Sequence, residues 1–258
     1  MSFLPRARHR AATAALLALA GFSPPAWAHS YGETLLSRAL NAYPAITGLR
    51  IEASDKIGQP IIVMGGAFTG SAPESVALNN AMGERIGTLI ATGRHSQRAS
   101  VADWLTHHIY VVGNLSEDDP FVAGAHSSPR AQAIVERMLA ADPALVTLAF
   151  HVGASGAANR ILASSFGRIG KPGDADDARV IDQGAVLRET TNQGRRFAVE
   201  LPLLDRQHRV VGALSVSYRA AADGTDGALL RATRLRDAIA RRIASLDAIQ
   251  SGTVREKL

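Results

Sequence analysis

One pattern runs twice through this chain, and it restricts the fold to something built from two like units. A shift of 99 residues lays RALNAYPAITGLRIEASDKIGQPIIV, from Arg38, over RMLAADPALVTLAFHVGASGAANRIL, from Arg137, without a gap. Identities fall at Arg38/Arg137, Leu40/Leu139, Ala42/Ala141, Pro44/Pro143, Ala45/Ala144, Leu49/Leu148 and Ile62/Ile161. Apolar matches add Ile46/Leu145, Ile51/Phe150 and Val63/Leu162. Each copy reads as a helix end, a proline stop, a strand, a polar turn and a second strand. Proline ends the helix because the residue before it is pushed out of the α region. The match fades after Val63.

The first 28 residues form a separate segment. Arg6, Arg8 and Arg10 lead an apolar run from Ala11 to Phe22, Ser23-Pro24-Pro25 breaks it, and Ala26-Trp27-Ala28 offers small residues at a cleavage site. That is the layout of a secretory signal peptide, and the run is too short to span a bilayer. The expectation is an exported, periplasmic protein starting near His29, in units of 29–127 and 128–258. There is no cysteine, so a thiolate nucleophile, a Cys-bound metal and a disulfide framework are excluded. The net charge of +5 includes the three arginines of the leader. The remainder is nearly balanced, with no basic block interleaved with aromatics, which argues against nucleic acid as a partner.

The second copy is the more regular. Ser128 and Pro129 start a helix through Ala141, as N-cap and first-turn residues. Thr147–Val152 and Arg160–Phe166 read as strands, then a charged loop, a short helix over Ala178–Gln183 and a strand at Leu187–Thr191. From Arg195 to Leu204, Phe197, Val199, Leu201 and Leu203 face one way, and Arg196, Ala198 and Glu200 the other. Asp205–Arg209 is a polar turn and Val210–Tyr218 returns antiparallel, as so short a connection requires. A final amphipathic helix is expected over Asp226–Gln250, with Leu235, Ile239, Ile243, Leu246 and Ile249 as its stripe and Arg241 and Arg242 on its basic face. In the first copy, Val76, Met82, Ile86 and Ile90 give Pro73–Thr92 helical spacing. His108–Leu115 and Phe121–His126 read as a hairpin around Ser116–Pro120.

The stretch ILASSFGRIGKPGDADDARVI, then RRFAVELPLLDRQHRVVGALSVSY, resembles the core of the PAS-like extracellular sensor modules called Cache domains. Its closing hairpin is similar to the last hairpin of periplasmic Cache-like proteins, and the resemblance covers about Ala144 to Tyr218. It implies an α+β fold: two PAS/Cache-like units, each an antiparallel sheet flanked by helices. It further implies a small ligand above one sheet face, under the loop after the second strand. Such modules usually sit between the membrane helices of a receptor. A chain without output would sense or carry a ligand and report to a membrane receptor or transporter.

The candidate ligand-binding residues lie on and near that loop: Arg168, Lys171, Asp174, Asp176 and Asp177, with Glu189 and Arg196 on neighbouring strands. A cation beside carboxylates suits an amino acid or small carboxylate, Arg and Lys holding the anion and Asp the amine. The same aspartates also fit N-capping of the following helix. They lack the glycine and distal Glu of a calcium loop. His29 opens an alternative: a terminal His can bind copper through its amine and ring, with His107, His108, His126 or His151 as second ligand. Adjacent His107 and His108 would point to opposite faces of a strand. No G-x-S-x-G elbow, H-E-x-x-H helix or Walker loop is present, so neither an enzyme nor a cofactor is expected.

Overall fold

The computed structural model describes residues 29–68, 73–153, 159–221 and 223–251. The expected leader, residues 1–28, lies outside them. Along the chain come β1 (His29–Ser30), α1 (Tyr31–Ala42), β2 (Ile46–Ser54), β3 (Pro60–Gly66), β4 (Glu74–Asn79), β5 (Arg85–Gly93), α2 (Arg98–His108) and β6 (Asp118–Asp119). Then follow α3 (Pro129–Ala141), β7 (Leu145–Val152), β8 (Arg160–Ser164), α4 (Ala175–Gln183), β9 (Leu187–Thr191), β10 (Arg196–Leu204), β11 (Val210–Arg219), α5 (Gly224–Ala240) and α6 (Leu246–Gln250). The fold is α+β. One sheet runs β3-β2-β5-β4, a second β8-β7-β11-β10-β9, and β1 pairs with β6 as a small ribbon.

The sequence repeat has a structural counterpart. In both halves a helix leads into a hairpin (β2–β3, β7–β8), and the main sheet's last strand in chain order (β5, β11) pairs antiparallel beside the first. The second half inserts α4 and β9 between its hairpins, so no gapless alignment survives beyond Val63. The copies also differ by a bulge. Ile51 pairs with Val63, whereas Phe150 pairs with Ala163 and His151 with Ile161, leaving Leu162 out of the ladder.

Caps set where the helices start. Ser30 and Glu33 form a capping box on α1, and Ser128 accepts from Ala131 N–H with Pro129 at the first position of α3. Each sheet buries one face against its own helices. Leu35 and Leu36 of α1 and Leu105 of α2 meet Leu49, Ile51 and Leu89. Ile134, Val135 and Met138 of α3 and Ala228, Ala232 and Ile239 of α5 meet Phe150, Val199, Leu201 and Val216. Each large side chain so buried contributes about 1.5–3 kcal/mol.

Three expectations are corrected. Residues 73–92 form no helix: β4 and β5 are strands, and Leu78, Leu89 and Ala91 enter the core in place of Val76, Met82 and Ile90, while Ile86 packs half-buried against it. Their turn is specified locally, because Asn80 Oδ1 accepts from Met82 and Glu84 N–H and Gly83 takes φ +78. Asp55 with Gly58, and Asp205 with His208, close their hairpins in the same way. Second, His108 ends α2 instead of opening a hairpin strand, since Val101, Ala102, Leu105 and His108 recur at helical spacing and are buried together. Third, the closing helix is two pieces. The chain turns between Ala240 and Leu246, where Ile243 C=O accepts from Arg206 N–H, and Ser245 caps α6 through Ala248 N–H.

The halves meet along a polar seam. Arg38 of α1 and His108 of α2 both contact Glu136 of α3. Tyr31 Oη donates to the carbonyls of His108 (2.9 Å) and Ser165 (3.2 Å). Arg168 binds Glu117, Arg195 binds Glu84, and Arg219 Nε donates to Ala81 C=O.

Candidate functional site

The five-stranded sheet has one face packed on α3 and α5, and pleating sends alternate residues to the other. That second face carries Thr147, Ala149 and His151 of β7, Ala213, Ser215 and Ser217 of β11, and Ala198 and Glu200 of β10. Register places Ser215 between Ala149 and Glu200, and Ala213 beside His151. Most of these side chains are small, so the floor is shallow. Helix α4 packs across β10 and β11 and buries Asp177 and Val180.

The start of α4 is built from its own aspartates. Asp174 accepts from Asp176 and Asp177 N–H, and Asp177 Oδ2 accepts from Asp174 N–H at 3.0 Å. This capping box turns Asp177 inward, where it is 3% exposed. Its Oδ2 also lies 2.9 Å from His151 Nδ1, an ion-pair contact without the angle of a hydrogen bond. Gly173 admits Asn159 alongside, since a Cβ there would stand 1.5 Å from Asn159 Oδ1.

Three acceptor oxygens in this cluster are buried without a hydrogen-bond partner: Asp177 Oδ1, Asn159 Oδ1 and Glu200 Oε2. An unpaired buried acceptor costs about 1–3 kcal/mol, so three together form an acceptor-rich cluster, with the unpartnered His151 Nδ1 beside it. Glu200 registers this. Burial first, and then the charge of Asp177, push its carboxyl up to about 7, against the opposing pull of His151.

Of the residues expected to bind ligand, Asp177 joins this cluster. Asp174 caps the helix and Asp176 pairs with Arg179 at the surface. Glu189 is exposed on β9 opposite Ala198, and Lys171 is half-buried in the loop before α4. Arg196 lies at the far end of the same face, 4.8 Å from the Tyr110 ring, and donates to Ser217 Oγ and Thr191 Oγ1. Arg168, the cation expected beside the aspartates, pairs with Glu117. Its guanidinium is held by both oxygens of Glu117 across the seam, at 2.8 and 2.5 Å. Asn159, Ser215 and Glu200 were not singled out, although strand alternation already placed Glu200 on the polar face; His151 was named only as an alternative copper ligand.

The histidines disperse. His29 is exposed at the start of β1, His108 is bound to Glu136, and His151 to Asp177. His107 is half-buried, and burial first among its causes lowers its pKa. Among the described residues no group of three or more His, Cys, Asp or Glu side chains is disposed to hold a metal. No helix among them is long and apolar enough to cross a membrane.

No protein-family model matches the chain, and no curated protein matches it in sequence. Solved structures with some likeness include the C-terminal domain of the E. coli transcriptional regulator KdgR, at 13% identity and a TM-score of 0.29, covering 48% of this chain and 97% of that one. A putative IclR-family transcriptional regulator from Rhodococcus sp. gives 12% identity and a TM-score of 0.30, covering 60% of this chain and 71% of that one. PelD from Pseudomonas aeruginosa PAO1 gives 14% identity and a TM-score of 0.22, covering 84% of this chain and 78% of that one. Likenesses of this size carry no argument about what this chain binds.

Proposed function

We propose that this protein is an exported, two-unit ligand-binding protein of PAS/Cache-like build. It holds the cationic end of a small molecule beneath α4 and reports occupancy to a membrane partner. The observation that carries the reading is the trio of donorless oxygens on Asp177, Asn159 and Glu200. An ammonium group brings three donors and a positive charge, the complement of that surface. A lone carboxylate meets like charge there, since Arg168 is engaged by Glu117. Export rests on the first 28 residues, and the PAS/Cache-like reading on the hairpin pattern of the second half.

Thermal shift with propylamine against propionate tests it, because a ligand of the folded state adds RT ln(1 + [L]/Kd) to stability. Propylamine raises the melting temperature, and Asp177→Asn removes the rise. A folded protein that responds to no small amine overturns the reading.

A further inference from the structure

A cavity of about 300 Å3 lies away from α4, on the seam between the halves. Its wall includes Thr34 and Arg38 from one face of α1, Asp119, His126 and Ser127 from the connecting segment, and Gln132 from α3. The volume is at the lower end of the range for small-molecule sites. Some lining groups are fully occupied as scaffold. The Gln132 amide donates to Glu136 and to Ser164 C=O and accepts from Ser164 N–H. Tyr31 spends its hydroxyl on two carbonyls. Others are not so committed. Ser127 Oγ is out of water with no hydrogen-bond partner. Arg38 reaches Glu136 through Nη2, on a fork that carries five donors. His126 is exposed at the cavity wall. Asp119 is half-buried, and burial first raises its pKa against a hydrogen bond from Thr34 and the charge of Arg38.

We propose that this cavity is a second binding site, for a small zwitterion of the amino-acid type. Its carboxylate meets Arg38 and His126, and its ammonium meets Asp119. The pairing of signs selects the class: Asp119 repels a lone carboxylate, and Arg38 repels a lone amine. The Ser127 hydroxyl supplies a neutral partner to the guest. The wall combines segments of both halves, so occupancy also ties α1 to α3.

Calorimetric titration of the whole protein with glycine, L-alanine and L-serine tests the site, with propionate and propylamine as single-charge controls. The expected result is binding of at least one zwitterion, weakened tenfold or more by Asp119→Asn and unchanged by Asp177→Asn. Ser127→Leu, which crowds the cavity and leaves its charges in place, weakens that binding while circular dichroism reports a folded chain. Loss with Asp177→Asn and retention with Asp119→Asn moves the ligand to the cluster under α4 and overturns this proposal alone. Absence of zwitterion binding also overturns it, whereas the reading of the α4 cluster stands or falls with propylamine.

Discussion

Glu136 is the pivot of the seam, and removing its charge is the sharpest test of how the halves are held. His108 is 2% exposed and has an acceptor on each ring nitrogen: Trp104 C=O lies 2.7 Å from Nδ1, and Glu136 Oε2 lies 2.7 Å from Nε2. The carboxylate can only accept, so Nε2–H donates to Glu136. Arg38 contacts the other carboxylate oxygen and lies 5.6 Å from the Trp104 ring. Glu136→Ala therefore removes the acceptor that Arg38 and His108 share. Leaving the buried His108 N–H without its acceptor costs about 1–3 kcal/mol, a sizeable part of the roughly 5–15 kcal/mol that holds a domain folded. The acid side gives a second measure. Burial pushes the Glu136 carboxyl up, but the hydrogen bond and charge of His108, with Arg38, prevail and lower it from 4.5 to about 2. A depressed carboxylate stabilises the fold fully above its unfolded pKa, and that stability drains as pH falls from 4.5 toward about 2. At about 1.4 kcal/mol per pKa unit, the window contains about 3 kcal/mol. Urea unfolding followed by circular dichroism at pH 7, 4 and 3 measures both. A Glu136→Ala loss under about 1 kcal/mol, with an unchanged acid profile, would refute the reasoning.

Three further outcomes are expected. Propylamine binding weakens as pH falls from 8 to 6, because Glu200 takes up a proton near 7 and loses the charge that holds the cation; Glu200→Gln flattens that profile in calorimetry. Gly173→Ala drives a methyl into Asn159 and Asp177, and abolishes the propylamine thermal shift while costing about 1–3 kcal/mol of stability in urea melts. Asp205→Ala removes a fully buried acceptor of Gln207 and Arg209 N–H and lowers stability by about 1–3 kcal/mol in the same assay.

Much of the second half was legible because its signals are local. Alternation from Arg196 to Leu204, the turn at Asp205–Arg209 and the Ser128-Pro129 helix start each lie within a few residues of the structure they specify. Residues 73–92 misled because Val76, Met82, Ile86 and Ile90 happen to recur at helical spacing. The deciding cue was Asn80 with Gly83, a turn pair of the kind seen at Asp55 with Gly58. At the candidate site, Asp177 was within reach of sequence reasoning as a loop carboxylate. Its inward turn depends on the capping box it shares with Asp174.

The amino-acid order alone determined a doubled helix–hairpin plan and the antiparallel return of the last two strands, since proline stops, caps and period-two alternation act over short distances. Which charges would meet was decided only in three dimensions. Arg168 finds Glu117, 51 residues away, and Arg38 finds Glu136, 98 residues away. Coulomb attraction depends on separation in space, and the packing of one half on the other brings these partners together.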